Sequence, residues 1–353
     1  MSKVAAFGEV MMRLEVPGYS TLAQGSSLDY SFSGTGVNVM SALSRFGHSA
    51  YLVSTLPDNP LGEAALAYLR KLGIHTPWVQ RGGKYVGQYF LEHGFGARPS
   101  RVTYTDRLGS SFNTVAYPET EWGRIADGLD AVHFCGITLA MNDLARMQMK
   151  RLAGEVKQRG GIVIFDCNYR PSLWGPDAYG QARPHYTDML QAADIVFMNE
   201  KDAIFTLGME TGECDRIAQL EQLIPQVARE YGIRTIAGTH RQINGDNTHT
   251  LTGYIYKTSA GREAQTKAME AAGGGGFTYS RPLTFPVYDR VGAGDAYASG
   301  IIHAELQGYD PEYAVEYAAA AAMLAHTVPG DTPISSESDV VKAMSDRTRD
   351  VER

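Results

Sequence analysis

The sequence predicts a Rossmann-like three-layer α/β sandwich, in which helices cover both faces of a mostly parallel central sheet. From residue 131 onwards, short apolar segments alternate with longer segments whose apolar residues recur at helical spacing. That alternation is typical of buried parallel strands joined by helices. Two earlier stretches, 10–33 and 85–105, depart from it, and we expect them to form strands and turns outside the main layers.

The first third of the chain contains four predicted strands and two predicted helices. The strands lie at 4–7, 51–54, 86–92 and 101–104, and a glycine-rich turn at 94–96 joins the last two in a hairpin-like pair. The helices at 39–46 and 61–72 follow from helical spacing of the apolar residues, and a glycine after each marks its end.

The remaining elements alternate regularly. Short apolar runs predict strands at 131–135, 162–166, 195–198, 234–237, 250–256 and 282–287. Helical spacing predicts helices at 143–158, 179–192, 200–207, 220–231, 296–307, 311–326 and 338–344. The four glycines at 273–276 predict a flexible connection. Because we find neither an internal repeat nor a dividing linker, we expect a single domain over residues 1–353.

Composition and charge limit the possible functions. Of the 353 residues, 44% are hydrophobic and 20% are charged, as in a soluble globular protein. The net charge of −7 argues against nucleic-acid binding, and an anionic substrate would need a local cluster of arginines. The three cysteines are scattered without metal-ligand spacing. With no signal-peptide layout in residues 1–10 and no apolar run long enough to cross a membrane, we expect a reduced, cytoplasmic protein.

Polar residues follow several predicted strands directly. They are Glu9, the segment 166–170, the segment 199–202, the segment 239–241 and the segment 289–295. Ligands of parallel α/β sheets sit at the carboxyl ends of the strands, so these segments predict one shared site. Solvated loops are the alternative for each segment taken singly.

The last of these segments contains the residues best suited to bind an anion and to accept a proton. Residues 289–295 read Asp-Arg-Val-Gly-Ala-Gly-Asp and open a predicted helix. The start of a helix presents free N–H groups to an anion, and Gly292 and Gly294 allow a phosphate to approach the backbone. Asp295 would repel that anion, so its natural role is to take a proton from the nucleophile that attacks phosphorus. The alternative, that Asp295 merely caps the helix, stays open on this stretch alone.

A second motif makes the chain resemble a known family. Residues 33–39 read Ser-Gly-Thr-Gly-Val-Asn-Val and open the helix at 39–46. Together with 289–295, this segment is similar to the two signatures of the ribokinase (PfkB-type) carbohydrate kinases, with Ser33 in place of a glycine. The resemblance covers nearly the whole chain. It implies a ribokinase-like fold in which 10–33 and 85–105 form a small β-sheet lid.

The resemblance implies transfer of a phosphoryl group from ATP to a sugar hydroxyl. Asp295 would be the base, and the N–H groups of Gly292, Ala293 and Gly294 would form an anion hole, since the chain contains no Walker P-loop. Magnesium is implied on the ATP phosphates, and a monovalent cation beside the anion hole is a further expectation. The residues implied to contact the nucleotide are Asn199, Thr239, Arg241, Gly292 and Gly294. Asn199 and Asp202 are implied to hold the magnesium, partly through water. Adenine specificity rests on the family alone, because residues 237–241 depart from its usual nucleotide motif.

Within the family the chain looks most similar to the 2-keto-3-deoxygluconate kinases. The similarity lies in segments 8–14, 166–174 and 326–331. It implies that Arg107 and Arg170 bind the carboxylate of a sugar acid, because a guanidinium can donate two parallel hydrogen bonds to it. The other implied sugar contacts are Gly34, Asn38, Tyr89, Tyr104, Asp289 and Asp295. The alternative for Arg170 is an ordinary ion pair with Asp166 or Asp177.

Other functions stay open at this point. One is a kinase of the same fold for fructose, ribose or 5-dehydro-2-deoxygluconate, and another is a non-catalytic sugar-binding regulator. A dinucleotide-dependent oxidoreductase is disfavoured, because no Gly-x-Gly-x-x-Gly follows the first strand. The family also implies a homodimer formed through the lid, and no partnership with nucleic acid or membrane is expected.

Overall fold

The fold is described from a computed structural model, which covers residues 1–176, 178–258 and 275–345. Its strands are β1 Lys3–Phe7, β2 Met11–Glu15, β3 Asp29–Ser33, β4 Ser49–Leu56, β5 Val79–Arg81, β6 Gly87–Glu92, β7 Arg101–Tyr104, β8 Ala131–Cys135, β9 Ile162–Asp166, β10 Ile195–Phe197, β11 Thr235–Ile243, β12 His249–Lys257, β13 Gly276–Tyr279 and β14 Leu283–Phe285.

The helices are α1 Thr35–Arg45, α2 Pro60–Lys71, α3 Ser111–Thr114, α4 Glu119–Ala126, α5 Gly136–Leu139, α6 Asp143–Gln158, α7 Ala178–Ala192, α8 Glu200–Leu207, α9 Arg216–Tyr231, α10 Ala293–Gln307, α11 Pro311–Ala325 and α12 Glu337–Met344, with a short 3-10 turn at Pro171–Leu173. Within the described residues, no helix is long and apolar enough to cross a membrane.

The central sheet has the strand order β13-β12-β11-β10-β9-β8-β1-β4-β5, and β14 also pairs with β12. The strands from β11 to β5 in this order run parallel, whereas β12 pairs antiparallel with β11, β13 and β14. The predicted, mostly parallel sheet is therefore confirmed. Parallel strands place their carboxyl ends at one edge, which is where the polar segments of the chain meet.

Hydrophobic residues fill both faces of this sheet. One core cluster contains Trp122 of α4 and Leu152 of α6, and the other contains Met40 of α1 and Ile301 of α10. The helices are thus divided between the two faces, as the three-layer prediction requires.

A separate four-stranded sheet, the lid sheet, has the order β3-β2-β6-β7. Strands β2 and β6 run parallel, and the outer pairs β2–β3 and β6–β7 are antiparallel. The predicted small sheet from 10–33 and 85–105 is confirmed, because its strands pair with one another rather than with the central sheet.

Several boundaries differ from the prediction. The short elements α3, α4, α5, β5 and β13 were not predicted, because three to eight residues give too few repeats for a clear period. Strand β11 continues to Ile243, so Thr239, His240 and Arg241 lie inside it rather than in a loop after it. The run of apolar residues in β11 ends at Ala237, because only its first three residues are buried. The hydrogen-bonded pairing with β12 nevertheless continues to Ile243. The predicted connection at 273–276 lies partly outside the described residues, and Gly276 begins β13.

Candidate active site

A cleft of about 720 Å³ lies at the carboxyl ends of the central strands and is also lined by residues of the lid sheet. All five polar segments identified in the sequence contribute to its wall. The predicted site residues that line it are Gly34, Asn38, Tyr89, Tyr104, Arg107, Arg170, Asn199, Asp202, Thr239, Arg241, Gly292, Gly294 and Asp295. The structure therefore brings these segments together at one place, while Asp289 and Ala293 are not part of the wall.

The turn that opens α10 has the geometry of an anion-binding site. Gly292 has a φ of +81°, and a Cβ added to it would lie 1.8 Å from the main-chain oxygen of Asp331. Only glycine fits there. The first main-chain bond of the helix runs from the N–H of Ala296 to the oxygen of Gly292. The preceding N–H groups at the helix start are left without intrahelical partners.

Asp295 lies in the first turn of α10 at the wall of the cleft, and only 9% of its surface is exposed. Its Oδ2 accepts a hydrogen bond of 2.7 Å from Nδ2 of Asn38. Burial raises the pKa of Asp295 well above its usual range; Asp166 and Asp331 raise it further, while Asn38 and Arg170 oppose the shift. The capping alternative does not describe α10, because Gly292 holds the cap position and no side chain caps this end.

The N-terminal motif supports this aspartate from the opposite side. Gly34 has a φ of +145°, and a Cβ there would lie 2.3 Å from the main-chain oxygen of Glu9. Asn38 follows on α1 and is buried. While its Nδ2 donates to Asp295, its Oδ1 accepts from the hydroxyl of Thr332 at 3.1 Å. Asn38 therefore fixes the orientation of the carboxylate.

Arg107 is held by a buried glutamate. Its Nε donates to Oε2 of Glu9 at 2.6 Å, and Oε1 of Glu9 accepts from the hydroxyl of Ser110 at 2.7 Å. The guanidinium lies 5.5 Å from the ring centroid of Tyr104, which faces Tyr89 across β6 and β7. In the described part of the chain, the two terminal nitrogens of Arg107 make no hydrogen bond, so they are available to an anionic ligand.

Arg170 is exposed at the wall of the cleft. The predicted alternative, an ion pair with Asp166, is absent from the described residues, and Asp177 lies outside them. Burial, together with nearby Asp202, raises the pKa of Asp166 to about 7, and Arg170 opposes that shift. Arg170 thus acts on the cleft electrostatically while its side chain stays open to a ligand.

Asp289 is placed apart from the other expected sugar contacts. It is buried, and its Oδ2 lies 3.0 Å from Nη2 of Arg13 and 3.2 Å from the N–H of Gly330. Its Oδ1 accepts from the N–H of Val291 at 3.1 Å. With every oxygen engaged inside the protein, Asp289 supports the turn at 290–292 instead of facing the cleft. Ala293 is also buried and can contribute only its main chain.

Comparison with known proteins decides the family. Residues 1–239 and 269–338 match the pfkB family of carbohydrate kinases. The chain belongs to that family. It is therefore an ATP-dependent carbohydrate kinase, as the two sequence motifs predicted.

Among individual relatives of this pfkB kinase, the similarity extends over almost the full length. A 2-dehydro-3-deoxygalactonokinase from Haloferax volcanii is 27% identical over 345 residues, covering 97% of this chain and 96% of the relative. A 2-dehydro-3-deoxygluconokinase from Thermoproteus tenax is 27% identical, covering 94% and 90%. The crystal structure of a 2-dehydro-3-deoxygluconokinase from Thermotoga maritima superposes with a TM-score of 0.87 at 31% identity, covering 98% and 99%.

The kinase family implies a magnesium ion, and the cleft offers two of the expected ligands. Oδ1 of Asn199 accepts from the N–H of Lys201, and Oδ2 of Asp202 accepts from the N–H of Asn199, each at 2.8 Å. These bonds form the capping box of α8, and both residues line the cleft. Burial raises the pKa of Asp202 to about 6. No cluster of three or more metal-binding side chains occurs in the described ranges. This donor set fits an ion held mainly by phosphate and water.

Two charged residues were missed by the prediction, one in the wall of the cleft and one buried behind that wall. Asp331 lines the cleft and accepts a hydrogen bond of 2.7 Å from the hydroxyl of Tyr89. Arg13 is fully buried beside it. A signal for Arg13 exists in the sequence, because it occupies an inward-facing position of β2, two residues after buried Met11. A charge at such a position needs buried partners.

Proposed function

We propose that the protein transfers the γ-phosphate of ATP to the terminal hydroxyl of 2-keto-3-deoxygluconate, as a 2-dehydro-3-deoxygluconokinase. One observation carries the proposal: the buried Asp295 carboxylate lies beside the free N–H groups that open α10, in a cleft that also contains Arg107 and Arg170. The relatives that bear this enzyme name support the choice of sugar.

Asp295 is the proposed base. The sugar hydroxyl loses its proton as it attacks phosphorus, and a carboxylate with a raised pKa holds that proton better than an ordinary aspartate. The transferred phosphoryl would lie against the N–H groups of Gly292, Ala293 and Gly294, which stabilise its negative charge. The lid sheet, as part of the same cleft, would limit the access of water.

Arg107 and Arg170 are the proposed partners of the sugar carboxylate. Because Glu9 binds only the Nε of Arg107, the terminal nitrogens can donate to both carboxylate oxygens. Tyr89 and Tyr104 are the proposed walls of the sugar pocket. The main chain of Gly34, which packs against the main-chain oxygen of Glu9 at the wall of the cleft, is a further proposed sugar contact.

The nucleotide is proposed to bind beside Thr239 and Arg241, on the outer half of β11. Asn199 and Asp202 would hold magnesium partly through water. When bound with ATP, magnesium neutralises charge on the phosphates. A monovalent cation near the anion hole is part of the proposal, and a comparison of activity in sodium, potassium and tetramethylammonium salts tests it.

The second candidate substrate is 2-keto-3-deoxygalactonate, which differs from the first in the configuration of one carbon. The Haloferax volcanii relative, whose name specifies that sugar, matches almost the whole chain. Both sugars carry the carboxylate that Arg107 and Arg170 would bind, so the arginines do not separate them.

We also propose a cytoplasmic homodimer formed through the lid sheet. Strand register places Leu14, Tyr30 and Phe90 on the face of this sheet opposite Tyr89 and Tyr104, which line the cleft. Tyr30 is exposed and Leu14 and Phe90 are half-buried there, and such an apolar face favours a cover. Light scattering coupled to size exclusion tests the dimer, and cell fractionation tests the location.

A coupled ADP-release assay tests the function. The panel contains 2-keto-3-deoxygluconate, 2-keto-3-deoxygalactonate, 5-dehydro-2-deoxygluconate, fructose and ribose. We expect kcat/KM to be at least 100-fold higher for a 2-keto-3-deoxy sugar acid than for fructose or ribose. A preference for a neutral sugar, or turnover of none of the five, would contradict the proposal.

A further inference from the structure

A fully buried arginine links the lid sheet to the main domain. Arg13 lies on β2, and its side chain has no exposed surface. Its guanidinium contacts three carboxylates that come from three segments. Nε lies 3.0 Å from Oε2 of Glu15, Nη2 lies 3.0 Å from Oδ2 of Asp289, and Nη1 lies 3.0 Å from Oδ1 of Asp331. One side chain thus joins a lid strand to two separate loops.

Both loops lead to Gly292. Along the first path, Asp289 accepts from the N–H of Val291, the residue before Gly292. Along the second path, the main-chain oxygen of Asp331 packs so closely on Gly292 that a Cβ would lie 1.8 Å from it. The same Asp331 carboxylate accepts from Tyr89 on β6. Arg13 is therefore connected to the turn that precedes the free N–H groups of α10. The connection runs through Asp289 on one path and through Asp331 on the other.

Stability alone is a weak reason for this arrangement. Buried ion pairs often contribute little to stability, because the cost of removing the charges from water offsets their attraction. Their best-supported role is to select one geometry over others. A guanidinium can do this here because its separate nitrogens fix the angle between two carboxylates, which a single ammonium cannot do.

We propose that Arg13 is a positioning residue for phosphoryl transfer, which sets the turn at 290–292 relative to the lid sheet. The inference rests on the proposed function in that the turn binds the transferred phosphoryl. Arg13 itself does not line the cleft. It would act only through Asp289 and Asp331. These contacts would hold the lid sheet and the anion hole in one fixed relative position.

Arg13→Lys tests the proposal because it keeps the charge and removes the fork. We expect kcat to fall about 10- to 100-fold, since small displacements of reacting groups have effects of that size. The sugar Kd, measured by isothermal titration, should change less than threefold. The matched control is Lys257→Arg, which also keeps its charge in a mostly buried ion pair, with Glu305 at 2.8 Å outside the cleft. We expect the control to keep kcat within twofold.

A second measurement does not depend on the substrate. Hydrogen–deuterium exchange of the ligand-free protein should show faster exchange at residues 290–294 in Arg13→Lys and unchanged exchange there in Lys257→Arg. If Arg13→Lys does not fold, Asp289→Asn removes the charge at the end of the first path and should give the same two effects. A kcat within twofold of wild type, or unchanged exchange at 290–294 in the folded variant, would overturn the proposal. Should the wild type turn over no sugar, the proposed function fails, and the exchange experiment still decides the role of Arg13.

Discussion

Nδ2 of Asn38 donates a hydrogen bond of 2.7 Å to the carboxylate of Asp295, across 257 positions of sequence. This bond joins the two motifs by which the family resemblance was found. It stabilises the charged form of Asp295, while burial favours the protonated form. The bond thereby fixes the orientation of the carboxyl group at the wall of the cleft, and it opposes without reversing the upward pKa shift that burial causes.

Replacing Asp295 should remove catalysis and spare sugar binding. Asp295→Asn keeps the size of the side chain and removes the base, so we expect kcat to fall at least 1,000-fold, at the upper end of general-base contributions. The sugar Kd, measured by titration, should stay within threefold. Asp310→Asn, at the cap of α11, is the control, and its kcat should match wild type. Residual activity above a tenth would remove Asp295 from its assigned role.

Two neighbouring glycines should respond differently to alanine. Gly292→Ala forces a Cβ against the Asp331 oxygen at positive φ, so we expect a lower Tm and loss of activity. At Gly294 a Cβ would meet no atom within 4 Å, so Gly294→Ala should keep the Tm of wild type. It should still lower kcat/KM for ATP at least tenfold, because the methyl group occupies space that a phosphate needs. Thermal melting and steady-state kinetics measure both effects, and full activity of Gly294→Ala would contradict the anion-hole assignment.

Loss of Arg170 should matter most for acidic sugars. Arg170→Ala removes a guanidinium that has no ion-pair partner among the described residues, so the fold should be unaffected. We expect KM for the sugar acid to rise at least tenfold, and KM for a slowly used neutral sugar to change less than twofold. Arg146→Ala is the control, because Arg146 bonds Asp143 and the main chain of Leu139 outside the cleft. Equal changes for both classes of sugar would refute the carboxylate contact.

His133 should make the fold sensitive to acid. This residue of β8 is fully buried, and both ring nitrogens lack a partner within the described residues. Burial lowers its pKa from 6.5 to about 4. The folded state therefore binds the proton less well than the unfolded chain, and stability is lost as pH falls from 6.5 towards 4. The loss is about 2 kcal/mol at pH 5.

We accordingly expect His133→Leu to raise Tm more at pH 5 than at pH 8. Thermal melting at the two pH values measures the difference. His75→Leu, at an exposed position, should show no such pH-dependent gain. An equal gain of His133→Leu at both pH values would mean that protonation of this residue does not limit stability.

Much of the fold could be predicted because its elements are long and periodic. The bounds of β8, β9, α6 and α8 agree with the prediction. The outer half of β11 could not be predicted from apolar periodicity, because Thr239 and Arg241 are polar and their strand pairing is formed with β12. Helices of four residues such as α3 were missed for a different reason, because they are too short to show a period.

The sequence by itself determined the parallel sheet, the edge at which its polar segments meet and the glycine turn before Asp295, because all three follow from local spacing and strand direction. Only the tertiary structure decided which side chains meet: Asn38 with Asp295, Glu9 with Arg107, and Arg13 with Asp289 and Asp331. The partners in these contacts lie 98 to 318 positions apart in sequence. Such contacts depend on how the lid sheet packs against the loops that contain Asp289 and Asp331. Residue spacing within one segment does not determine that packing.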